Sequence, residues 1–313
     1  MKYNDSFEKI KAFLHIQRKK DPIRDRRGKN ALGASLLVLF LSLAVIGILF
    51  YITYRWDNKY TYTGSSLHVL AGRWEFYPDL SLEENRNTEG DILTSPEIIT
   101  IGQFGNFKSF HQDASPFGSA VYRKQLYLEP TSGGWLLEMP EIYSASKIYI
   151  NGKLLHSYGD LSEEHYRIHT QNTLIPLPSG NVEIVIEASN YSHYYSGVVY
   201  PPIIGRTDTV TLLIICRLVF YAFLCFFTLG CAVVSFTVWF RRQTDTLYAA
   251  YGLLCLCFSV HICYPLIHWL GINLGELSYV IEDTAYFAVL VCMTALTYRL
   301  AGSVWNRKVY IAC

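Results

Sequence analysis

Residues 31–54 form an apolar run without a single charged side chain, ALGASLLVLFLSLAVIGILFYITY. At about 1.5 Å of rise per residue, a helix of this length crosses a hydrocarbon core of about 30 Å. A secretory signal peptide would have a shorter apolar stretch and a small-residue cleavage site, whereas Arg55 and Trp56 follow this run directly. The run therefore predicts an uncleaved transmembrane anchor.

Three later segments are also predominantly apolar, although the last carries Arg299 near its end. The hydrophobic fraction of the chain is 51%, which is high for a soluble protein, and the apolar residues are clustered. Transmembrane helices are predicted at about 210–240, 248–270 and 284–305, the first with an uncharged core over residues 218–240. Residues 210–313 thus hold at least three helices and form the start of a helical bundle.

Lysine and arginine beside the spans indicate the orientation. Residues 1–30 carry ten Lys or Arg against four Asp or Glu, which places this basic N-terminus in the cytoplasm. Arg241 and Arg242 follow the second span, and Arg307 and Lys308 follow the last, so both of these ends are also predicted inside. The prediction is a multi-pass protein of the cell membrane with residues 55–209 extracellular.

The segment 55–209 has the composition of an all-β domain. Short apolar runs are broken by Gly, Pro, Asn and Asp, and residues 182–187 alternate between apolar and polar. Asn151-Gly152 lies between two strand-forming runs and predicts a tight hairpin turn. None of the eight cysteines lies in this segment, so its stability must come from an apolar core and not from disulfides.

Several motifs in this segment resemble a known fold in their order along the chain. They are GRWEFY from Gly72, VYR from Val121, SKIYINGK from Ser146 and PPIIG from Pro201. Together they resemble the galactose-binding-like jelly roll. The predicted fold is therefore a membrane protein with an external all-β jelly-roll sandwich and an α-helical transmembrane bundle.

A jelly roll followed directly by membrane helices resembles the bacterial seven-transmembrane receptors with diverse intracellular signalling modules, over about residues 65–305. The resemblance implies seven helices after the external domain and then an output module such as a histidine kinase or a diguanylate cyclase. Only about three of those helices precede Cys313. We therefore expect a truncated receptor or a fragment, with any kinase or cyclase beyond Cys313.

Jelly rolls of this class often bind carbohydrate, because the apolar face of a sugar stacks on an aromatic ring while its hydroxyls bind polar groups. Trp74 is also a candidate for the core, whereas the stretch 190–195 is typical of an exposed loop. The predicted ligand-binding residues are Trp74, Tyr77, Tyr122, Arg123, Tyr191, His193, Tyr194 and Tyr195.

Five ionisable residues lie in or beside the later spans, where a charge is costly unless it is paired or close to the surface. Four of them are predicted in one outer layer, and the fifth lies deeper on a shared helix face. A structural pair of Arg217 with Glu282 or Asp283 explains them, as does snorkelling to the surface; the functional alternative is a polar patch that couples the external domain to helix movement. These residues are Arg217, His261, His268, Glu282 and Asp283.

The leading functional hypothesis is a membrane sensor whose jelly roll binds a ligand and signals through the helices. The alternatives are a membrane-anchored carbohydrate-binding or adhesion module and, third, a membrane glycan-processing enzyme. No phosphate loop or hydrolase motif is visible, so no enzyme activity, cofactor or metal site is predicted. The predicted partners are the lipid bilayer and an extracellular small molecule or glycan, with a homodimer left open and no nucleic acid expected.

Overall fold

The first compact unit of the chain, residues 1–55, contains a short apolar helix, α1, at Leu36–Ile48. The basic N-terminus and the ends of the predicted 31–54 anchor lie outside the described residues. The computed structural model describes residues 36–48, 59–64, 66–79, 95–102, 105–109, 115–242 and 246–301, together with Gly33 and Leu82.

The second unit begins with strands that form two sheets. The strands are β1 (Thr61–Tyr62), β2 (His68–Val69), β3 (Trp74–Pro78), β4 (Glu97–Ile99), β5 (Gly118–Leu128), β6 (Trp135–Met139), β7 (Ala145–Ile150), β8 (Lys153–Tyr158), β9 (Thr173–Leu177), β10 (Gly180–Asn190) and β11 (Ile203–Arg206). The larger sheet has the order β4-β3-β5-β10-β7-β8, with β1 parallel to β5, and the smaller has the order β2-β11-β6-β9. All other pairings are antiparallel.

The two sheets pack face to face around one apolar core. Phe76 and Ile184 of the larger sheet belong to the same buried cluster as Leu137, Ile175 and Ile204 of the smaller. Alternate residues of β10 supply the inner face because successive side chains of a strand point to opposite sides. The predicted all-β sandwich is confirmed.

The predicted hairpin is also confirmed. Strands β7 and β8 pair antiparallel, and the turn residues Asn151 and Gly152 have φ values of 50° and 75°. Positive φ at both central residues is what a type I′ turn requires. The Asn151 side chain also accepts a hydrogen bond of 2.8 Å from the backbone N–H of Glu183, which fixes the turn to the neighbouring strand.

Three helices follow the sandwich: α2 (Thr207–Arg242), α3 (Thr246–Trp269) and α4 (Leu277–Ala301). Each contains a stretch long and apolar enough to cross a membrane, which supports a membrane protein. Helix α4 begins seven residues before the predicted 284, and α2 three residues before the predicted 210. The 36 residues of α2 exceed the length needed for a hydrocarbon core of about 30 Å, so its first turns extend toward the sandwich.

The outer face of the smaller sheet rests on α2. Leu136 of β6 packs against Val210 and Ile214, and Ile203 of β11 packs in a cluster with Leu213. Strand β11 ends at Arg206 and α2 begins at the next residue, so the described chain has no linker between sheet and helix. The sandwich and the helices therefore share a packed contact surface.

Candidate functional site

Two of the predicted ligand-binding residues lie in the core, which corrects the prediction for them. Trp74 is fully buried, and its indole N–H donates a hydrogen bond of 2.7 Å to the carbonyl of Leu70. Tyr122 is also fully buried, with its ring 5.1 Å from that of Phe76. Both face inward between the sheets, so neither ring offers a surface on which an external ligand can stack.

Tyr77 and Arg123 lie on the opposite, outer face of the larger sheet. The Tyr77 hydroxyl donates to Glu75 at 3.1 Å, and burial together with the charge of Glu75 raises the pKa of the phenol. Arg123 is paired with Glu183 at 2.6 Å and with Glu75 at 3.3 Å. Tyr77 is thus bonded within its own strand, whereas Arg123 holds strands β3, β5 and β10 together through its two carboxylate partners.

The predicted ligand-binding residues of the 191–195 loop have different environments in the structure. Tyr194 is 67% exposed, whereas the Tyr191 ring packs edge-on against Tyr166 at 5.4 Å. The loop is held by Asn190, whose amide donates to the carbonyl of His193 at 2.6 Å. His193 faces helix α4 and Tyr195 packs on Tyr143, so residues 191–195 do not form one ligand platform.

The loop and helix α4 meet in a cluster of rings. His193 stacks on Tyr279 of α4 with centroids 3.9 Å apart, and Tyr143 stacks on the same ring at 5.5 Å. Tyr195 lies 5.7 Å from Tyr143. Burial lowers the pKa of His193, and the charges of Asp283 and Glu276 oppose that shift. Sandwich and α4 are thereby joined by an aromatic contact in which the histidine favours its neutral form.

A second contact joins β6 to α2 by an ion pair. Arg217 donates a hydrogen bond of 2.5 Å to the carboxylate of Glu138, whose side chain is 2% exposed against 32% for the arginine. Burial raises the pKa of Glu138, and the charge and hydrogen bond of Arg217 oppose that effect. The partner of Arg217 is thus a strand residue, which corrects the pair with Glu282 or Asp283 expected from the sequence.

A third contact joins the β6–β7 loop to the end of α3. His268 is fully buried, its Nδ1 atom lies 3.8 Å from Glu141, and the Tyr264 ring meets it edge-on at 4.3 Å. Neither ring nitrogen of His268 has a hydrogen-bond partner among the described residues. Glu282 of α4 lies near His268 and Glu141.

The remaining coupling candidates lie around these contacts. His261 is deeper along α3, with its ring 5.9 Å from Tyr286 of α4. Asp283 interacts through its charge with His193 and Tyr195 of the loop. We call the three contacts together the junction; its members are Glu138, Glu141, Tyr143 and His193 on the sandwich and Arg217, His268 and Tyr279 on the helices.

Four junction residues were not among the sequence-based candidates: Glu138, Glu141, Tyr143 and Tyr279. One of them carries a signal in the sequence, since Glu138 is the only charged residue of the apolar strand WLLEM. Strand alternation places it on the same face as Leu136, which is the face that packs on α2. The two tyrosines carry no such signal, because tyrosine is frequent throughout this chain.

No protein-family model matches the sequence, and no curated protein matches it. Similar solved structures include a β-glucuronidase from Faecalibacterium prausnitzii, with 11% identity and a TM-score of 0.35 over 44% of this chain and 31% of that one. A Ruminococcus gnavus β-glucuronidase has 16% identity and a TM-score of 0.34 over 46% of this chain and 29% of that one. An Eisenbergiella tayi GH2 β-galacturonidase has 13% identity and a TM-score of 0.32 over 45% and 24%. The chain spans less than a third of the length of these enzymes, and their activities are not transferred to it.

Proposed function

We propose that this chain is a membrane sensor in which the sandwich binds an external ligand and the junction passes the resulting change to the helices. The observation that carries the proposal is the junction itself. Each of the three helices is contacted by a different sandwich residue: α2 by Glu138, α3 by Glu141 and α4 by His193.

A protein that only needed to be held at the membrane would need no such contacts. A flexible linker of polar residues would tether the domain and leave it free to reorient. Here β11 continues directly into α2, and Leu136 packs on the first turns of that helix. A rotation of the smaller sheet would therefore move the start of α2, and the continuous helix would carry this displacement toward the membrane.

Signalling further requires two arrangements of the junction with different affinities for the ligand. Buried polar groups that lack partners in one arrangement favour a second arrangement in which they are satisfied. Among the described residues, His268 and one carboxylate oxygen of Glu138 are such groups. They make the junction a suitable element for switching between two packings of the helices.

The test measures whether a change at the junction reaches the far ends of the helices. Spin labels are placed at Tyr248→Cys and Thr297→Cys in a chain whose native cysteines are replaced, reconstituted in nanodiscs. These positions lie near the start of α3 and toward the end of α4, and thus far from the junction. Pulsed EPR then gives the distribution of distances between the two labels.

Tyr279→Ala removes the ring on which His193 and Tyr143 stack, and a sensor is expected to shift or broaden that distribution. The matched control is Phe226→Ala in α2, where the ring is 72% exposed and makes no contribution to the junction. An unchanged distribution for Tyr279→Ala, with the sandwich still folded by circular dichroism, would contradict the sensor.

One observation favours the alternative of a membrane-anchored carbohydrate-binding module. Tyr194 is 67% exposed and Tyr200 is 42% exposed, and exposed rings of this kind suit stacking on sugars. Such a module would bind glycans through these rings while the helices merely hold it. Loss of glycan binding on Tyr194→Ala, together with unchanged distances between the helix ends, is the result that would favour the anchor.

A further inference from the structure

The outer face of the larger sheet carries a cavity that is separate from the junction. Its volume is about 350 Å³, and it lies above strands β5, β7 and β10 beside the loop that follows β8. This volume is at the lower end of the range of about 300–1,000 Å³ that is usual for small-molecule sites. Tyr191 is the one sequence-predicted ligand residue that lines it.

The floor of the cavity is set by strand register. Glu187 of β10 is the cross-strand partner of Lys147 on β7, and Ser189 of β10 is the partner of Ser119 on β5. Because residues two apart on a strand share a face, Glu187 and Ser189 both point to this outer side. The sheet thereby presents a carboxylate, an ammonium group and two hydroxyls at fixed positions.

Two of these side chains are almost completely buried below the cavity. Ser189 is 3% exposed, and it lies in the lining of the cavity. Glu187 is 4% exposed and accepts one hydrogen bond per oxygen, from the backbone N–H of Leu82 at 3.1 Å and from Tyr149 at 3.5 Å. A carboxylate accepts about four hydrogen bonds, so capacity for a ligand donor remains.

The charge of the lining is predominantly negative. Among the described lining residues, Asp160, Glu163 and Glu187 contribute carboxylates against the ammonium group of Lys147. Hydrogen bonds from the hydroxyl and the backbone N–H of Ser162 lower the pKa of Asp160 and keep it ionised at neutral pH. The field in the cavity therefore favours a cation, and Tyr191 adds an aromatic ring to the lining, a group that stabilises cations placed over its face.

We propose that this cavity binds a small organic cation that combines a primary amine with hydroxyl groups, of the amino-alcohol or amino-sugar class. The ammonium group would pair with Glu187 and Asp160, and the hydroxyls would bond with Ser119, Ser189 and Lys147. The cavity deepens the proposed function by naming the ligand class of the sensor, while binding itself does not depend on signalling.

The test is isothermal titration calorimetry on the full chain in nanodiscs, with glucosamine, N-acetylglucosamine and glucose as probes at a pH at which the free amine is protonated. The three probes share the hydroxyls at C1, C3, C4 and C6 and differ at C2, where only glucosamine carries a cationic group. Saturable binding of glucosamine is expected, with at least tenfold weaker binding of the two neutral sugars. Binding should also weaken as salt is added, because part of it is electrostatic.

Glu187→Gln and Asp160→Asn each remove one negative charge at nearly constant shape, and each is expected to weaken glucosamine binding at least fivefold. Glu129→Gln, at an exposed position outside the cavity, is the matched control and should leave the affinity unchanged. Asp160 is itself exposed, so this variant keeps the test valid if Glu187→Gln fails to fold.

Equal affinities for glucosamine and glucose would overturn the proposed class. Ethanolamine, titrated in the same way, represents the amino alcohols, and the absence of saturable binding for both it and glucosamine would also overturn the class. The failure of this proposal is distinguishable from that of the sensor. Binding of glucosamine without any change in the EPR distances would leave the cavity as a binding site and would count against signalling.

Discussion

Arg217 and Glu138 differ in exposure, and this difference predicts unequal effects of removing either partner. In Arg217→Leu the carboxylate of Glu138 stays buried without its counter-charge, which is expected to cost about 3–5 kcal/mol of unfolding free energy. In Glu138→Gln the arginine, one third exposed, can extend its guanidinium toward water, so the loss should be about 1–3 kcal/mol. The double variant is expected to lose less than the sum.

Thermal unfolding in nanodiscs measures this cycle, since interacting residues show non-additive effects. A parallel cycle of Arg217→Leu with Glu282→Gln serves as the control, and there the two losses should add. A larger effect of Glu138→Gln than of Arg217→Leu would contradict the buried ion pair as described.

At Gly197 the packing of the core leaves no room for a side chain. It has a φ of 72°, and an added Cβ would lie 2.0 Å from the Tyr122 hydroxyl oxygen and 2.7 Å from Phe107. Gly197→Ala is therefore expected to lower the unfolding free energy by about 1–3 kcal/mol more than the same substitution at a matched glycine that has no close neighbours. That match is Gly152, with a φ of 75° and nothing within 4 Å of an added Cβ.

Because both substitutions introduce the same backbone strain, the difference between the unfolding midpoints of Gly197→Ala and Gly152→Ala isolates the steric overlap. Chemical denaturation of the two variants measures that difference. Equal midpoints would show that Tyr122 and Phe107 can move aside at no cost, contrary to the packing seen here.

At the scale of single residues, the sequence shows which side chains have the chemistry to bind a ligand, but it does not show which face of a strand is buried in the core. Tyr122 and Arg123 are adjacent and equally suitable as ligand residues from their chemistry. Alternation guarantees that one points inward and the other outward, yet the sequence alone does not state which. The structure places Tyr122 between the sheets and Arg123 on the outer face, so the first was wrongly included among the ligand residues.

At the scale of elements, the contact between the 191–195 loop and α4 predicts a pH dependence. Burial lowers the pKa of His193 below the value of about 6.5 that the unfolded chain has. The unfolded state then binds more protons near and below that pH, so the contribution of His193 to stability is complete above about pH 6.5 and is lost as the pH falls. Protonation would also remove the hydrogen bond of 3.1 Å that His193 Nδ1 accepts from Tyr195.

The measurement compares unfolding midpoints at pH 8 and pH 5 for the full chain and for His193→Phe. Phenylalanine keeps a ring against Tyr279 but does not titrate, so the loss on acidification should be smaller in the variant. His165→Phe, at an exposed position, is the control and should keep the full loss. An identical loss in His193→Phe and the parent chain would contradict this assignment.

Elements that depend on local signals could be predicted from the sequence, and those that depend on distant pairing could not. The Asn151-Gly152 hairpin needs only a turn with two positive φ angles, and the helices need only uninterrupted apolar length. The Glu138–Arg217 pair joins residues 79 positions apart. Its existence depends on which face of the smaller sheet packs on α2, which no local pattern states.

At the scale of the whole molecule, the junction gathers the starts of α2 and α4 and the end of α3 on one side. Arg217, Tyr279 and His268 mark these three positions, and each contacts the sandwich. Arg242 at the end of α2 and Thr246 at the start of α3 are consequently at the opposite end of the helices. If the helices cross a membrane, the sandwich and residues near 242–246 must lie on different sides of it.

The positive-inside rule then assigns the sides, and the assignment is testable by cysteine accessibility in a chain without native cysteines. Single cysteines at Lys59 and Glu163 should react with an impermeant maleimide in intact cells, whereas those at Lys20 and Arg242 should react only after permeabilisation. Lys20 lies outside the described residues, so labelling at Lys20 tests the orientation predicted from charge alone. Labelling at Arg242 tests the same orientation and also whether α2 crosses the membrane. Labelling of Lys20 from outside would exclude a cytoplasmic N-terminus. Labelling of both Glu163 and Arg242 in intact cells would show that α2 does not cross the membrane, and the junction would then have no route by which to transmit a signal.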